Sequence, residues 1–220
     1  MKRLAGLLRR LLLKVPAFKS FWVIRGWALS GFRVPAPHQV KMAVLERHAF
    51  SAPWVETGTF LGDTTLWLAR RYPAVVSLEP QETLFANARR RLEVERNVRL
   101  LNLASEDGLE TAIEISESPL LNFWLDGHYS SEETHEGVRD TPAITELQTI
   151  SKYLKSDRLT GVAVFVDDVR LFAVQHRERP SAEDRDGYPR LFLLCSWAEN
   201  HGLAWTIEHD IFIAKSVVSR

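Results

Sequence analysis

Between Ala52 and Tyr72 the chain changes character twice. Ala52-Pro53-Trp54-Val55 is an apolar approach. Glu56-Thr57-Gly58-Thr59-Phe60-Leu61-Gly62-Asp63-Thr64-Thr65 is punctuated by two glycines, and Leu66, Leu68, Ala69 and Tyr72 then recur with helical spacing. The order is strand, glycine turn, helix. Such a unit aims backbone N–H groups at a ligand from a helix N-terminus. Gly58 and Gly62 lack a Cβ, so the backbone can turn tightly and a ligand can come close. Glu56, ending the strand, can accept a hydrogen bond from an amine or a cation. The pattern E-x-G-x-x-x-G-x-T is not G-x-G-x-x-G, which argues against an NAD-linked dehydrogenase.

The same alternation continues downstream. Ala74–Pro80 is an apolar run closed by Glu79. Gln81–Glu95 has Leu84, Phe85, Ala88 and Leu92 spaced for burial, with Asn97 expected to end the helix. Val98–Leu103 is a third strand. Ala104-Ser105-Glu106-Asp107 opens the next helix, with Ser105 or Asp107 as its cap. Leu120–Asp126 is a fourth strand, Pro142–Leu154 a helix with Ile144, Leu147, Ile150 and Leu154 inward, and Gly161–Asp168 a fifth strand ending in two acids. Ser130–Asp140 and Ala173–Gly187 read as loops and Tyr188–His201 as a helix. Ala204–Ile207 and Ile211–Ala214 form a closing hairpin around Glu208-His209-Asp210. Strands alternating with helices predict an α/β, Rossmann-like fold: a mostly parallel seven-stranded sheet, helices on both faces, and a C-terminal antiparallel hairpin.

The first 45 of the 220 residues carry nine Lys or Arg and no acid, so the remainder is net acidic although the whole chain is neutral. Leu4, Leu7, Leu8, Leu11, Leu12 and Val15 form one helical stripe that stops at Pro16. Such a basic amphipathic helix either docks on the domain or a second subunit, or lies on an anionic membrane. Phe18, Phe21, Trp22, Trp27 and Phe32 follow and need a surface to bury against. Val34–His38 is a rigid connector, and Val40–Phe50 is a helix with Val40, Ala43, Val44 and Ala49 inward. His38 and His48 read as surface or packing residues. The expected organisation is a helical appendage at 1–34 and a catalytic domain at 35–220. Cys195 is the only cysteine, which excludes an intrachain disulfide and a cysteine-rich zinc site and fits a cytoplasmic location.

Glu56, Glu79, Ser105, Asp126 and Asp167–Asp168 should gather where the strands end. Carboxylates held close together repel unless a cation sits between them. Oxygen ligands without cysteine suit Mg²⁺ or Ca²⁺.

From Val55 to Ala214 the chain resembles class I S-adenosylmethionine (SAM)-dependent methyltransferases, and among them the metal-dependent O-methyltransferases of the catechol and macrolide-sugar types. The resemblance implies that Glu56, Gly58 and Gly62, with Thr57, Thr59, Asp63 and Thr64 of the same turn, hold SAM. It implies that Glu79 takes the ribose. Ser105 and Glu106, in a stretch similar to the catechol-type A-S-Q-D, would border the adenine, with Asp126 also at the cofactor. It implies Mg²⁺ on Asp126, Asp167 and Asp168. Sugar-modifying members read D-G-D after the fourth strand; here Asp126-Gly127-His128 stands, with His128 as general base, weak metal ligand or packing residue. The reaction implied is methylation of a hydroxyl on a small molecule or sugar, with Asp126 and His128 catalytic. A metal-free transferase, or a SAM-binding module acting through its N-terminal helix on a membrane or partner, are the alternatives. The expected partner is a hydroxylated small molecule and not nucleic acid. Peripheral membrane contact through residues 1–33 and homo-oligomerisation stay open.

Overall fold

The computed structural model describes residues 16–127, 141–172 and 190–217, with backbone alone for 16–19. The expected helix over residues 4–15, the loops Ser130–Asp140 and Ala173–Gly187, and His128 lie outside the described residues.

Five parallel strands follow from the five apolar runs: β1 (Trp54–Thr57), β2 (Val75–Leu78), β3 (Val98–Leu101), β4 (Leu120–Leu125) and β5 (Gly161–Val166). An antiparallel pair, β6 (Leu203–Glu208) and β7 (Ile211–Ser216), completes a seven-stranded sheet of order β3-β2-β1-β4-β5-β7-β6. This is the expected Rossmann-like fold. β1, β2, β4 and β5 are almost wholly buried, which is why they read as apolar runs and not as alternating patterns. The register sets Thr57 beside both Leu78 and Leu125, and Leu125 beside Val166. The residues that follow those positions, Gly58, Glu79, Asp126 and Asp167, therefore line one edge.

Side-chain alternation along the strands divides the core in two. On one face Val55, Leu78, Phe123 and Val164 pack with α5 (Ser105–Ile115), α6 (Ala143–Lys155) and α7 (Leu191–Asn200). On the other, Trp54, Val75, Trp124 and Phe165 pack with α2 (His38–His48) and α3 (Asp63–Ala69). The remaining helices are α1 (Pro16–Leu29) and α4 (Glu82–Leu92), and a short 3₁₀ turn covers Val169–Leu171.

Several local expectations change. α2 buries Met42, Val44 and Leu45, while Ala43 is exposed and Val40 and Ala49 only half-buried. Neither Ser105 nor Asp107 caps α5: the N-cap is Ala104, and Ser105 is already the first helical residue. α4 stops at Leu92, before Asn97. Asn97 instead donates to the carbonyls of Ala69 and Tyr72 at 2.7 and 3.1 Å, tying β3's entry to the end of α3. The buried stripe of α6 is Ala143, Glu146, Leu147, Ile150 and Tyr153, one residue round from the expected one, and it brings a carboxyl inside. At the amino end of the sheet, buried Asn122 accepts from Phe50 N (2.8 Å) and donates to the carbonyls of Phe50 and Ala52 (both 3.1 Å). That end is closed.

Candidate functional site

The strand order reverses between β1 and β4, and open α/β sheets take ligands in the crevice at such a reversal. Gly58 sits at its mouth with φ +85°. A Cβ there would lie 2.7 Å from the carbonyl oxygen of Asp126, so only glycine lets the exits of β1 and β4 come this close. Gly62 has a different task. It caps α3 with φ +76°, and a Cβ would lie 3.1 Å from Leu92 Cδ1, so it packs α3 against α4.

Glu56 is buried completely beneath the turn. Its Oε2 accepts from Thr65 (2.5 Å) and Ser77 (2.6 Å), and Ser77 Oγ also meets Thr59 Oγ1 at 2.6 Å. One carboxyl thus fastens β1, β2, the turn and α3. Burial pushes it up to about 7 against those two hydrogen bonds. The N–H groups of Gly58 and Thr59 are not presented to the crevice: both donate to Leu78 O at 3.0 Å. Phe60 N donates to Glu79 Oε2 (2.8 Å) and Gln81 N to Glu79 Oε1 (3.1 Å). Glu79 thereby holds the tip of the turn, and each of its oxygens keeps a lone pair for a further donor.

On the opposite face, α6 delivers Glu146, which is 2% exposed. Its Oε1 and Thr57 Oγ1 both lie against Gly127, 3.6 and 3.4 Å from where a Cβ would stand. Burial pushes Glu146 up to about 7, against the nearby hydroxyls of Ser105 and Thr57. Among the described residues Glu56 Oε1, Thr57 Oγ1 and Glu146 Oε1 are the buried side-chain oxygens without a well-aligned hydrogen-bond partner. All belong to β1's carboxyl end or to the helix beside it. Buried acceptors are costly to leave unpaired, so these, on both faces of β1 at its carboxyl end, are places where a ligand or water would supply donors.

The acidic corner holds a surprise. Lys41, on α2, pairs its ammonium with Asp167 and lies 3.4 Å from Asp168 Oδ1. Arg170 pairs with Asp168 (2.6 Å) and with buried Asp210 at the β6–β7 turn. Burial, then the charge of Asp167, hold Asp126 well above the usual carboxylate range, while Lys41 opposes them. Among the described residues no three His, Cys, Asp or Glu side chains converge as a metal site. The oxygen donors Asp126, Asp167 and Asp168 suit Mg²⁺ in kind, and Lys41 sets an ammonium beside two of them.

Of the residues singled out in the sequence, Glu56, Thr57, Gly58, Thr59, Glu79, Asp126, Asp167 and Asp168 meet at the carboxyl edge. Asp63 does not: it is exposed and pairs with Arg91 at 2.5 Å. Thr64 is half-buried on α3. Ser105 is buried at the start of α5, with Oγ 3.4 Å from exposed Glu106. The sequence reading missed Lys41, Ser77, Thr65 and Glu146. The repulsion among three carboxylates calls for positive charge, and Lys41, on the helix that leads into β1, supplies some of it.

No family model matches the chain, and no curated protein matches it. Among solved structures it is similar to a SAM-dependent methyltransferase from Aquifex aeolicus (13% identity over 84% of this chain and 95% of that one, TM-score 0.47). It is similar to a precorrin-6y C5,15-methyltransferase from Geobacter metallireducens (12%, 82% and 89%, TM-score 0.49) and to an rRNA methylase from Streptococcus thermophilus (16%, 83% and 96%, TM-score 0.44). At these values the likeness is one of fold.

Proposed function

We propose that the chain is a SAM-dependent methyltransferase that methylates a hydroxyl of a small molecule or sugar without a divalent metal. The observation that carries the reading is the set of orphaned buried oxygens at the β1–β4 crevice, beneath a glycine turn and beside a strand-end acid. They suit a ligand rich in donors and positive charge. SAM offers an ammonium, a sulfonium and a ribose diol, and the motif order from Val55 to Ala214 resembles the class that uses it. Glu56 and the Gly58 turn would hold the methionine part, Glu79 the ribose, and Ser105 the adenine side. Bound there, SAM supplies an electrophilic methyl group.

The rest falls to the chain's own residues. Lys41 fixes Asp167 and offers N–H donors that orient an acceptor oxygen at the acidic corner. Asp126, at the exit of β4, accepts the hydroxyl proton on its carboxylate, with His128 next but one in sequence as its partner in that task. The site residues fit an ammonium better than a metal, which favours this form over the Mg²⁺-dependent one.

The test is methyl transfer from labelled SAM to a panel of hydroxylated sugars and phenols. Turnover should persist in EDTA, and Lys41→Met should lower it at least 100-fold while SAM affinity stays within about threefold. Turnover that EDTA abolishes and Mg²⁺ restores would replace this form with the metal-dependent one.

A further inference from the structure

Helix α1 is an apolar segment that the body leaves uncovered. Phe21 is 56% exposed, Leu29 75% and, just beyond the helix, Phe32 59%; Trp22, Val23, Ile24 and Val34 are exposed as well. Residues 21–24 are consecutive, and each helical step turns about 100°, so their side chains point to every side. A turn of helix apolar on every side needs a core, a partner or a lipid surface to cover it. α1 is in neither core cluster. It is held by Trp27, whose ring meets His209 at 5.2 Å and Phe32 at 5.0 Å and whose Nε1 donates to Arg33 O at 2.7 Å. Its 14 described residues rise about 21 Å, short of the ~30 Å hydrocarbon layer, and among the described residues no helix is long and apolar enough to cross a membrane.

Two occupants compete, a protein groove and a lipid surface. A protein groove has a fixed shape and covers one side of a helix, whereas the interfacial layer adapts to side chains on the lower and flanking sides together. Charge points the same way. Arg25, whose guanidinium lies 5.9 Å from the Trp22 ring, and Arg33 flank the exposed aromatics, within a segment of 45 residues that has nine cations and no acid. We infer that α1 and the turn to Val34 insert into the interfacial layer of an anionic phospholipid bilayer. Because His209 lies at the β6–β7 turn, beside the exit of β5, the bound chain carries its carboxyl edge next to the lipid.

The experiment is co-sedimentation of the full chain with vesicles of phosphatidylcholine alone and of phosphatidylcholine mixed with phosphatidylglycerol. The comparison is the triple variant Phe21→Ser/Trp22→Ser/Ile24→Ser, whose far-UV circular dichroism should match the wild type because the three side chains are exposed. The wild type should partition onto the anionic vesicles at least tenfold more than onto neutral ones, less at high salt, and the variant should lose at least tenfold. Equal binding by the variant, or no binding by the wild type, overturns the inference. So does a wild-type dimer that ignores vesicles and becomes monomeric in the variant, which would make a second copy the occupant.

Discussion

Glu56 and Glu146 sit on opposite faces of β1, each fully enclosed, each with one oxygen unpaired. A site that must accept donors keeps such acceptors waiting, and stability bears the cost. The pH dependence exposes it. The folded carboxyl of Glu146 lies at about 7, above its ordinary 4.5. Below 4.5 both states hold the proton. Between 4.5 and 7 only the folded state does, so stability falls as pH rises, and above 7 the fall is complete. The fall amounts to about 3 kcal/mol for one such group. Urea unfolding at pH 5 and pH 8 should show Glu146→Gln gaining on the wild type by about this much at the higher pH. An equal difference at both values would mean that the carboxyl titrates normally. Glu146 was hidden in the sequence because two stripes share Leu147 and Ile150, and the one through Ile144 and Leu154 has no acid in it. A burial stripe drawn by hydropathy excludes a functional carboxyl by construction.

At the scale of elements, the strands were legible because parallel strands are short apolar runs, four of the five with an acid at or just beyond their ends, and all five run where those signals put them. Helix ends were not: Asn97 and Ser105 looked like terminators or caps, and their side chains serve tertiary contacts or none at the cap. Lys41 was illegible for another reason. Its partner is 126 residues away, and only the docking of α2 on the sheet brings them together. Docking distances are set by small residues. A Cβ on Gly108 of α5 would lie 2.3 Å from Leu78 Cδ2 and 2.9 Å from Leu103 Cβ. Gly108→Ala should therefore push α5 off β2 and lower stability by about 1–3 kcal/mol, although alanine is the better helix former. Thermal melts of the two proteins decide it, and an unchanged or raised Tm would mean that α5 is not so tightly seated.

Across the whole molecule the sheet is built asymmetrically. Its amino end is sealed by satisfied contacts such as those of Asn122, while its carboxyl end collects Glu56, Thr57, Glu79, Asp126, Asp167 and Lys41. The sequence showed that edge through the acids at the ends of β1, β2, β4 and β5. It did not show that a lysine side chain lies among them. The central claim is that this edge is built around the β1–β4 crevice to hold a SAM-like ligand. Isothermal titration of S-adenosylhomocysteine into the full chain, in EDTA, tests that claim most directly. One-to-one binding that Gly58→Val removes is the expected result, since a side chain there meets the Asp126 carbonyl and fills the mouth of the crevice. Absence of any heat or saturation in the folded wild type would contradict it.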